Sequence, residues 1–324
     1  FQKFFTAFFI NNFMNYIFII GGLLLLVLGG NWLLKSSVGL SLKLNISKIV
    51  IGLTVVSIAT SAPELIVSVN AAIDGFPNLA LGNVVGSNIA NIGLILGVVL
   101  LINSINVSNS FYAIDWPVKI IVSFLLFIFL LFDNDISRIE GMTLVGLYVV
   151  FIIYLIRNQN RVEANVPEAE LNEMSFYAIF GFLVVGGFSL WAGSELLIKG
   201  SISLAISFGV SERIIAVTVV SLGTSIPELV SSIIAALKNE SDISIGNVIG
   251  SNIFNILGVL GITAIIKPIE NIDKIILTQD IYWMLGFALL LMPLVILNKR
   301  GSLFFKEGIL LLIGYIAFIS VTIS

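Results

Sequence analysis

Residues 54–65 read Thr-Val-Val-Ser-Ile-Ala-Thr-Ser-Ala-Pro-Glu-Leu, and residues 218–229 read Thr-Val-Val-Ser-Leu-Gly-Thr-Ser-Ile-Pro-Glu-Leu. A second phrase follows each copy at the same distance: Gly-Asn-Val-Val-Gly-Ser-Asn-Ile-Ala-Asn at 82–91 and Gly-Asn-Val-Ile-Gly-Ser-Asn-Ile-Phe-Asn at 246–255. The copies align without a gap, and roughly half of the residues from Thr54 to Ile92 are identical to their partners. The match extends outward at the same offset, pairing Lys35 with Lys199, Ser47 with Ser211 and Gly97 with Gly261. Each copy sets one glutamate, Glu64 or Glu228, beside a proline in an otherwise apolar helix. A duplicated segment with an interrupted helix points to a membrane binding site built where two repeats meet.

Composition places the chain in the bilayer. Hydrophobic residues make up 58% and charged residues 11%, against about 25% charged in an ordinary soluble domain. Apolar stretches are of helix-spanning length, not the shorter alternating strands of a barrel. The net charge of -3 gives no electrostatic basis for a nucleic-acid partner. With no Cys and no His, thiol chemistry, disulfides, haem and the usual zinc and copper sites are excluded. Carboxylates, hydroxyls and amides remain, which are hard oxygen ligands suited to sodium, calcium or magnesium. No cofactor is expected beyond such transported ions.

The apolar windows predict an all-α polytopic membrane protein with ten transmembrane helices, near 14–42, 48–74, 79–103, 114–133, 138–157, 175–206, 212–238, 243–266, 278–298 and 304–323. Residues 1–13 read as an interfacial lead-in. The first five helices form one repeat (14–157), a polar linker follows (158–174), and 175–324 form the second repeat. Five is odd, so the second half enters the membrane from the opposite side, making two inverted five-helix repeats. Loops holding Lys35, Lys43, Lys48, Arg157, Arg161, Lys238, Lys299, Arg300 and Lys306 form the more basic side. That side is expected in the cytoplasm, with the linker, leaving both termini outside.

The repeated phrase supplies the chemistry. Proline removes a backbone donor, so carbonyls near Ala59 and Thr60 lose helical partners. At membrane depth such carbonyls need protein, water or an ion. Thr60 and Glu64 are four apart and share a face, as do Ser87 and Asn91, and Ser251 and Asn255. Thr224, Ser225 and Glu228 repeat the first set. Gly82, Gly86, Gly246 and Gly250 have the spacing that lets helices approach closely. Two carboxylates ringed by neutral oxygens suit calcium, which takes about 6–8 of them, or several sodium ions. A buried hydrogen-bonding pair is the alternative for the glutamates, a plain kink for the prolines. Helix packing stands beside ion contact for Asn83 and Asn247, and packing or interhelical bonding is favoured for Asn88 and Asn252. Asp115, Asp133, Asp135, Glu140 and Asp280 read as solvated span ends, and the Trp and Tyr residues mostly as interface anchors.

These paired phrases, Thr-Ser-Ala-Pro-Glu ending at Glu64 and Gly-Thr-Ser-Ile-Pro-Glu ending at Glu228, each followed by Gly-Asn-x-x-Gly-Ser-Asn-Ile, resemble the alpha repeats of the calcium/cation antiporter superfamily. The sodium/calcium exchanger branch, in a prokaryotic form with a short central loop, is the closest resemblance. It implies a mid-membrane diamond of ion sites. Calcium would be held by Glu64, Glu228 and the backbone oxygens of Thr60 and Thr224. Sodium sites would add Ser61, Ser225, Ser87, Ser251 and Asn91; Asn255 completes the expected set. The resemblance further implies that the first and sixth helices slide as a gate over the other eight, in a prokaryotic plasma membrane, with one chain sufficient. Asn255, where some relatives carry Asp, argues against potassium co-transport. Ala59 against Gly223 predicts a slightly asymmetric site. The expected activity is sodium/calcium antiport by alternating access, electrogenic at three sodium ions per calcium. A proton-coupled divalent-cation antiporter is the alternative, and an enzyme is not expected.

Overall fold

The computed structural model describes residues 2–107, 111–158, 174–208, 221–297 and 302–323. The elements are α1 (Gln2–Leu44), α2 (Lys48–Thr60), α3 (Ala62–Ile73), α4 (Pro77–Ile102), α5 (Phe111–Phe132), α6 (Arg138–Asn158), α7 (Phe176–Ser207), α8 (Ile226–Leu237), α9 (Ser241–Ile266), α10 (Ile276–Leu297) and α11 (Phe305–Thr322). Among the described residues, eight helices are long and apolar enough to cross a membrane, or nine with α2 and α3 taken as one span bent by 47°. Most expected spans match an element to within a few residues. The seventh, 212–238, is described only in its second part, and most of the 158–174 linker lies outside the described residues, as do Ser211 and Arg213. Residues 2–13, expected as a separate lead-in, continue α1 without a break; that stretch has no proline or glycine to interrupt it.

Local sequence sets the interruptions. Pro63 and Pro227 sit in the first turns of α3 and α8, where a missing N–H costs little. The helices therefore break at Ser61 (φ −87°, ψ 12°) and Ser225 (φ −87°, ψ 3°), and do not merely kink. The turns after α3 and α8 carry Gly75 (φ 84°) and Asn239 (φ 60°) at matched positions, the two residue types that enter the left-handed region most readily.

The centre of the bundle is α4 and α9, the most buried of the spans. Helix α9 packs on α2, α6 and α8, and α4 on α3 and α11. Lipid offers no hydrophobic force between helices, so close contact depends on small residues. A Cβ on Gly22 would lie 2.7 Å from the carbonyl of Gly193, and one on Gly29 2.8 Å from the amide of Leu190; α1 and α7 touch there backbone to backbone.

Contacts recur with the halves exchanged. Gly22 meets Gly193 while Gly29 meets Gly186. The Lys35 ammonium lies 5.0 Å from the centre of the Phe182 ring, and that of Lys199 5.3 Å from Phe18. Gly97 of α4 packs on Gly308 of α11, and Gly261 of α9 on Gly141 of α6. Short strands β1 (Ile105–Asn106) and β2 (Ser302–Leu303) pair Ile105 with Leu303, and an isolated bridge pairs Ile136 with Ile269. Each is one joint made twice.

Candidate cation site at the helix breaks

Glu64 and Glu228 stand in the first turns of α3 and α8, both with no solvent exposure. Each is held by the other half. Ser61 Oγ donates to Glu228 Oε1 at 2.6 Å, and Ser225 Oγ donates to Glu64 Oε1 at 3.3 Å. Ser225 Oγ also lies 3.1 Å from Ser87 Oγ on α4. Thr60 Oγ1 donates to Asn247 Oδ1 at 3.1 Å, and Thr224 Oγ1 to Asn83 Oδ1 at 3.2 Å. The amide of Asn83 reaches Glu64 O at 3.3 Å and Ser68 Oγ at 3.0 Å. That of Asn247 reaches Glu228 O at 3.5 Å, Ser231 Oγ at 2.9 Å and Ser232 Oγ at 3.0 Å. The two asparagines thus tie each glutamate's backbone to the opposite half's threonine.

The structure gathers these residues into two matched hydrogen-bonded clusters: Glu64 with Ser225, Ser87 and, through Asn83, Thr224; and Glu228 with Ser61 and, through Asn247, Thr60. Ser251 lies beside Glu228 without closing a hydrogen bond. Asn91 donates to Asn252 Oδ1 at 3.2 Å, the interhelical bond expected as one reading of Asn252, whereas Asn88 is buried and bonds within its own helix to Val84 O at 2.8 Å. Asn255 is fully buried and makes no side-chain hydrogen bond. Asn91 and Asn255 each open a π-helical stretch, Asn91–Leu96 and Asn255–Leu260. Such wide turns collect at functional sites.

Polar atoms here are left over. Glu64 Oε2, Glu228 Oε2, Ser251 Oγ, Asn91 Oδ1 and both amide atoms of Asn255 are buried without a hydrogen-bond partner. A buried polar group without a partner costs about 1–3 kcal/mol, more if charged. Carboxylate, hydroxyl and amide oxygens are the donor types that bind a hard cation.

The halves differ at the expected place. A Cβ on Gly223 would lie 2.4 Å from Ile198 Cδ1 of α7, so an alanine there would require the Ile198 side chain to move. The Gly223 carbonyl, which Pro227 cannot serve, accepts from Ser194 Oγ at 2.7 Å. Ser194 escaped the sequence reading, because the matched position is Gly30 and the repeat gives no signal. The Gly-x-x-x-Gly pair of α9 packs tightly on α2: Cβ atoms on Gly246 and Gly250 would lie 2.6 Å from Ile49 O and 2.5 Å from Leu53 Cα.

Three expectations are corrected. Asp115 is not a solvated span end but is buried, on the interior stripe of α5 that also holds Lys119, Val122 and Leu126. Asp280 is half-buried with Oδ1 unbonded. Trp116 is less an interface anchor than a tie between helices, its indole N–H donating to Ala288 O at 2.9 Å.

Comparison with known proteins places this geometry. The family model described as "Sodium/calcium exchanger protein" matches residues 14–157 and 178–324. A protein of Alkalimonas amylolytica provisionally named antiporter CaxA is 38% identical over 93% of this chain and 96% of its own length. The sodium/calcium exchanger MaX1 of Methanosarcina acetivorans is 29% identical over 95% of this chain and 98% of its own. A solved structure of the sodium-calcium exchanger NCX_Mj, soaked with 10 mM Na+ and zero Ca2+, superposes with a TM-score of 0.82 at 29% identity, covering 95% of this chain and 99% of that one. This chain belongs to the sodium/calcium exchanger protein family.

Proposed function

We propose that the protein exchanges sodium for calcium across a prokaryotic plasma membrane by alternating access, through a site centred on Glu64 and Glu228. The observation that carries this reading is the exchanged bracing of the two carboxylates, Ser61 to Glu228 and Ser225 to Glu64, with one unbonded oxygen left on each. Calcium is held by the glutamates and the backbone oxygens of Thr60 and Thr224. Sodium ions draw on Ser61, Ser225, Ser87, Ser251, Asn91 and Asn255. Ten spans form two inverted five-helix repeats, with the 158–174 linker and the Lys48 end of α2 in the cytoplasm and both termini outside. Support comes from the contacts repeated with the halves exchanged and from the lysine and arginine bias of the loops. A single chain contains the whole site, so a monomer in the bilayer suffices, and the role is transport, not enzymatic.

With asparagine at 91 and 255, the ionised site carries two negative charges. One calcium neutralises it, and three sodium ions leave one positive charge. Exchange at that ratio is electrogenic and needs no potassium. Each charge moved across the membrane is worth about 2.3 kcal/mol per 100 mV, so a negative interior drives calcium out. Calcium counterflow measured at clamped potentials tests this. The expected result is a rate that changes with potential; a flat response rules out the stoichiometry.

A further inference from the structure

A cavity of about 640 Å³ opens at one end of the bundle, between α1, the start of α7 and the turn joining α8 to α9. Its walls carry Lys35, Lys43 and Lys238, with Asn31, Trp32 and Phe182 beside them. Among the described residues, the one acid in the lining, Glu240, is already paired with Lys48 at 2.8 Å. Lys43 donates to Met174 O at 3.3 Å and lies over Phe176, and Lys35 lies over Phe182. Both ammonium groups thus rest on aromatic faces of α7 at the wall of the crevice, and each still has N–H donors beyond those contacts. Among the described residues the crevice therefore gathers three lysines against one acid that is already paired. Its remaining wall is apolar, with Val38 and Leu42.

We propose that this crevice binds the phosphate of an anionic phospholipid, whose acyl chains lie along the apolar faces of α1 and α7. Basic pockets between membrane helices have the charge to hold such headgroups. The bound phosphate bridges α1, through Lys35 and Lys43, to the α8–α9 turn, through Lys238. On the exchange reading given above, α1 and α7 move against the other helices, and a bridge there slows that movement. The binding itself does not depend on that reading.

Trp32 in the wall provides the probe. The protein is reconstituted in phosphatidylcholine vesicles containing equal fractions of either brominated phosphatidylglycerol or brominated phosphatidylcholine. Quenching due to Trp32 is the difference between wild type and Trp32→Phe. Each lysine near an anionic headgroup is worth roughly a fivefold preference. We expect brominated phosphatidylglycerol to quench Trp32 at least about fivefold more effectively, and a Lys35→Gln/Lys238→Gln double variant, altered only at exposed side chains, to lose most of that preference. Equal quenching by the two lipids, or a preference unchanged in the double variant, overturns the proposal. Loss of the preference when inorganic phosphate is added to the bath also overturns it, and assigns the crevice to a soluble anion. Should calcium exchange fail while the lipid preference stands, the transport reading falls and this one does not.

Discussion

Ser61 donates to Glu228 across the boundary between the two halves, at 2.6 Å, from the point where its own helix breaks. The residue that ends α2 in one repeat therefore orients the carboxylate that begins α8 in the other. Neither half builds its glutamate's environment alone. Any movement of one repeat against the other must act on both carboxylates.

Replacing either glutamate by glutamine keeps shape and removes charge. We expect Glu64→Gln and Glu228→Gln each to lower calcium transport at least about 100-fold, equivalent to about 2.7 kcal/mol. Thermal unfolding should not shift downward, because a neutral amide is less costly than a carboxylate in this buried setting. Ser61→Ala should be milder, about fivefold, as one hydrogen bond to Glu228 is lost. Calcium uptake alongside unfolding in detergent measures both.

Asn83 and Asn247 hold matched positions but unequal numbers of bonds. Asn247 Nδ2 has three acceptors within reach against two for Asn83, and it is the more buried. Asn247→Ala should destabilise by about 2–3 kcal/mol and Asn83→Ala by about 1–2 kcal/mol, from the partners stranded in the interior. Equal shifts in unfolding midpoint would count against this ranking.

Gly250→Ala should be severely destabilising, since its Cβ would lie 2.5 Å from Leu53 Cα and 2.6 Å from Leu53 O, both backbone atoms. A loss of about 1–3 kcal/mol or more is expected from such overpacking. Gly146→Ala is the control: it lies on the exposed face of α6 with nothing within 4 Å, and should stabilise by up to about 1 kcal/mol. Unfolding temperatures of the two variants should move in opposite directions.

Lys119 is 1% exposed, and its ammonium has no hydrogen-bond partner. Charges buried without a partner are costly, and apolar replacements of similar volume often stabilise. Lys119→Met should raise stability by about 1–4 kcal/mol. A fall in the unfolding midpoint would mean that Lys119 has a role that its surroundings do not reveal.

The duplicated phrase revealed the glutamate pair, the helix interruptions and the inter-half character of the site, because proline and a membrane-depth acid have few other uses. The same phrase did not reveal how the carboxylates are braced. Asn83 and Asn247 could be read as packing or as ligands, and only the tertiary arrangement turns them toward Thr224 and Thr60. Ser194 was invisible because its repeat partner is a glycine. The burial of Asp115 and Lys119 was missed because spacing along α5 does not tell a lipid-facing stripe from an interior one when nearly every neighbour is apolar. The π-helical turns at Asn91 and Asn255 leave no mark in hydrophobic periodicity either.

The central claim is that Glu64 and Glu228 form one site at which sodium and calcium compete. The most direct test is calcium uptake into proteoliposomes loaded with sodium and diluted into sodium-free buffer, beside Glu64→Gln. Uptake that requires the outward sodium gradient and vanishes in Glu64→Gln is the predicted result. Uptake indifferent to sodium and driven instead by a proton gradient would contradict the claim and place the chain with proton-coupled exchangers.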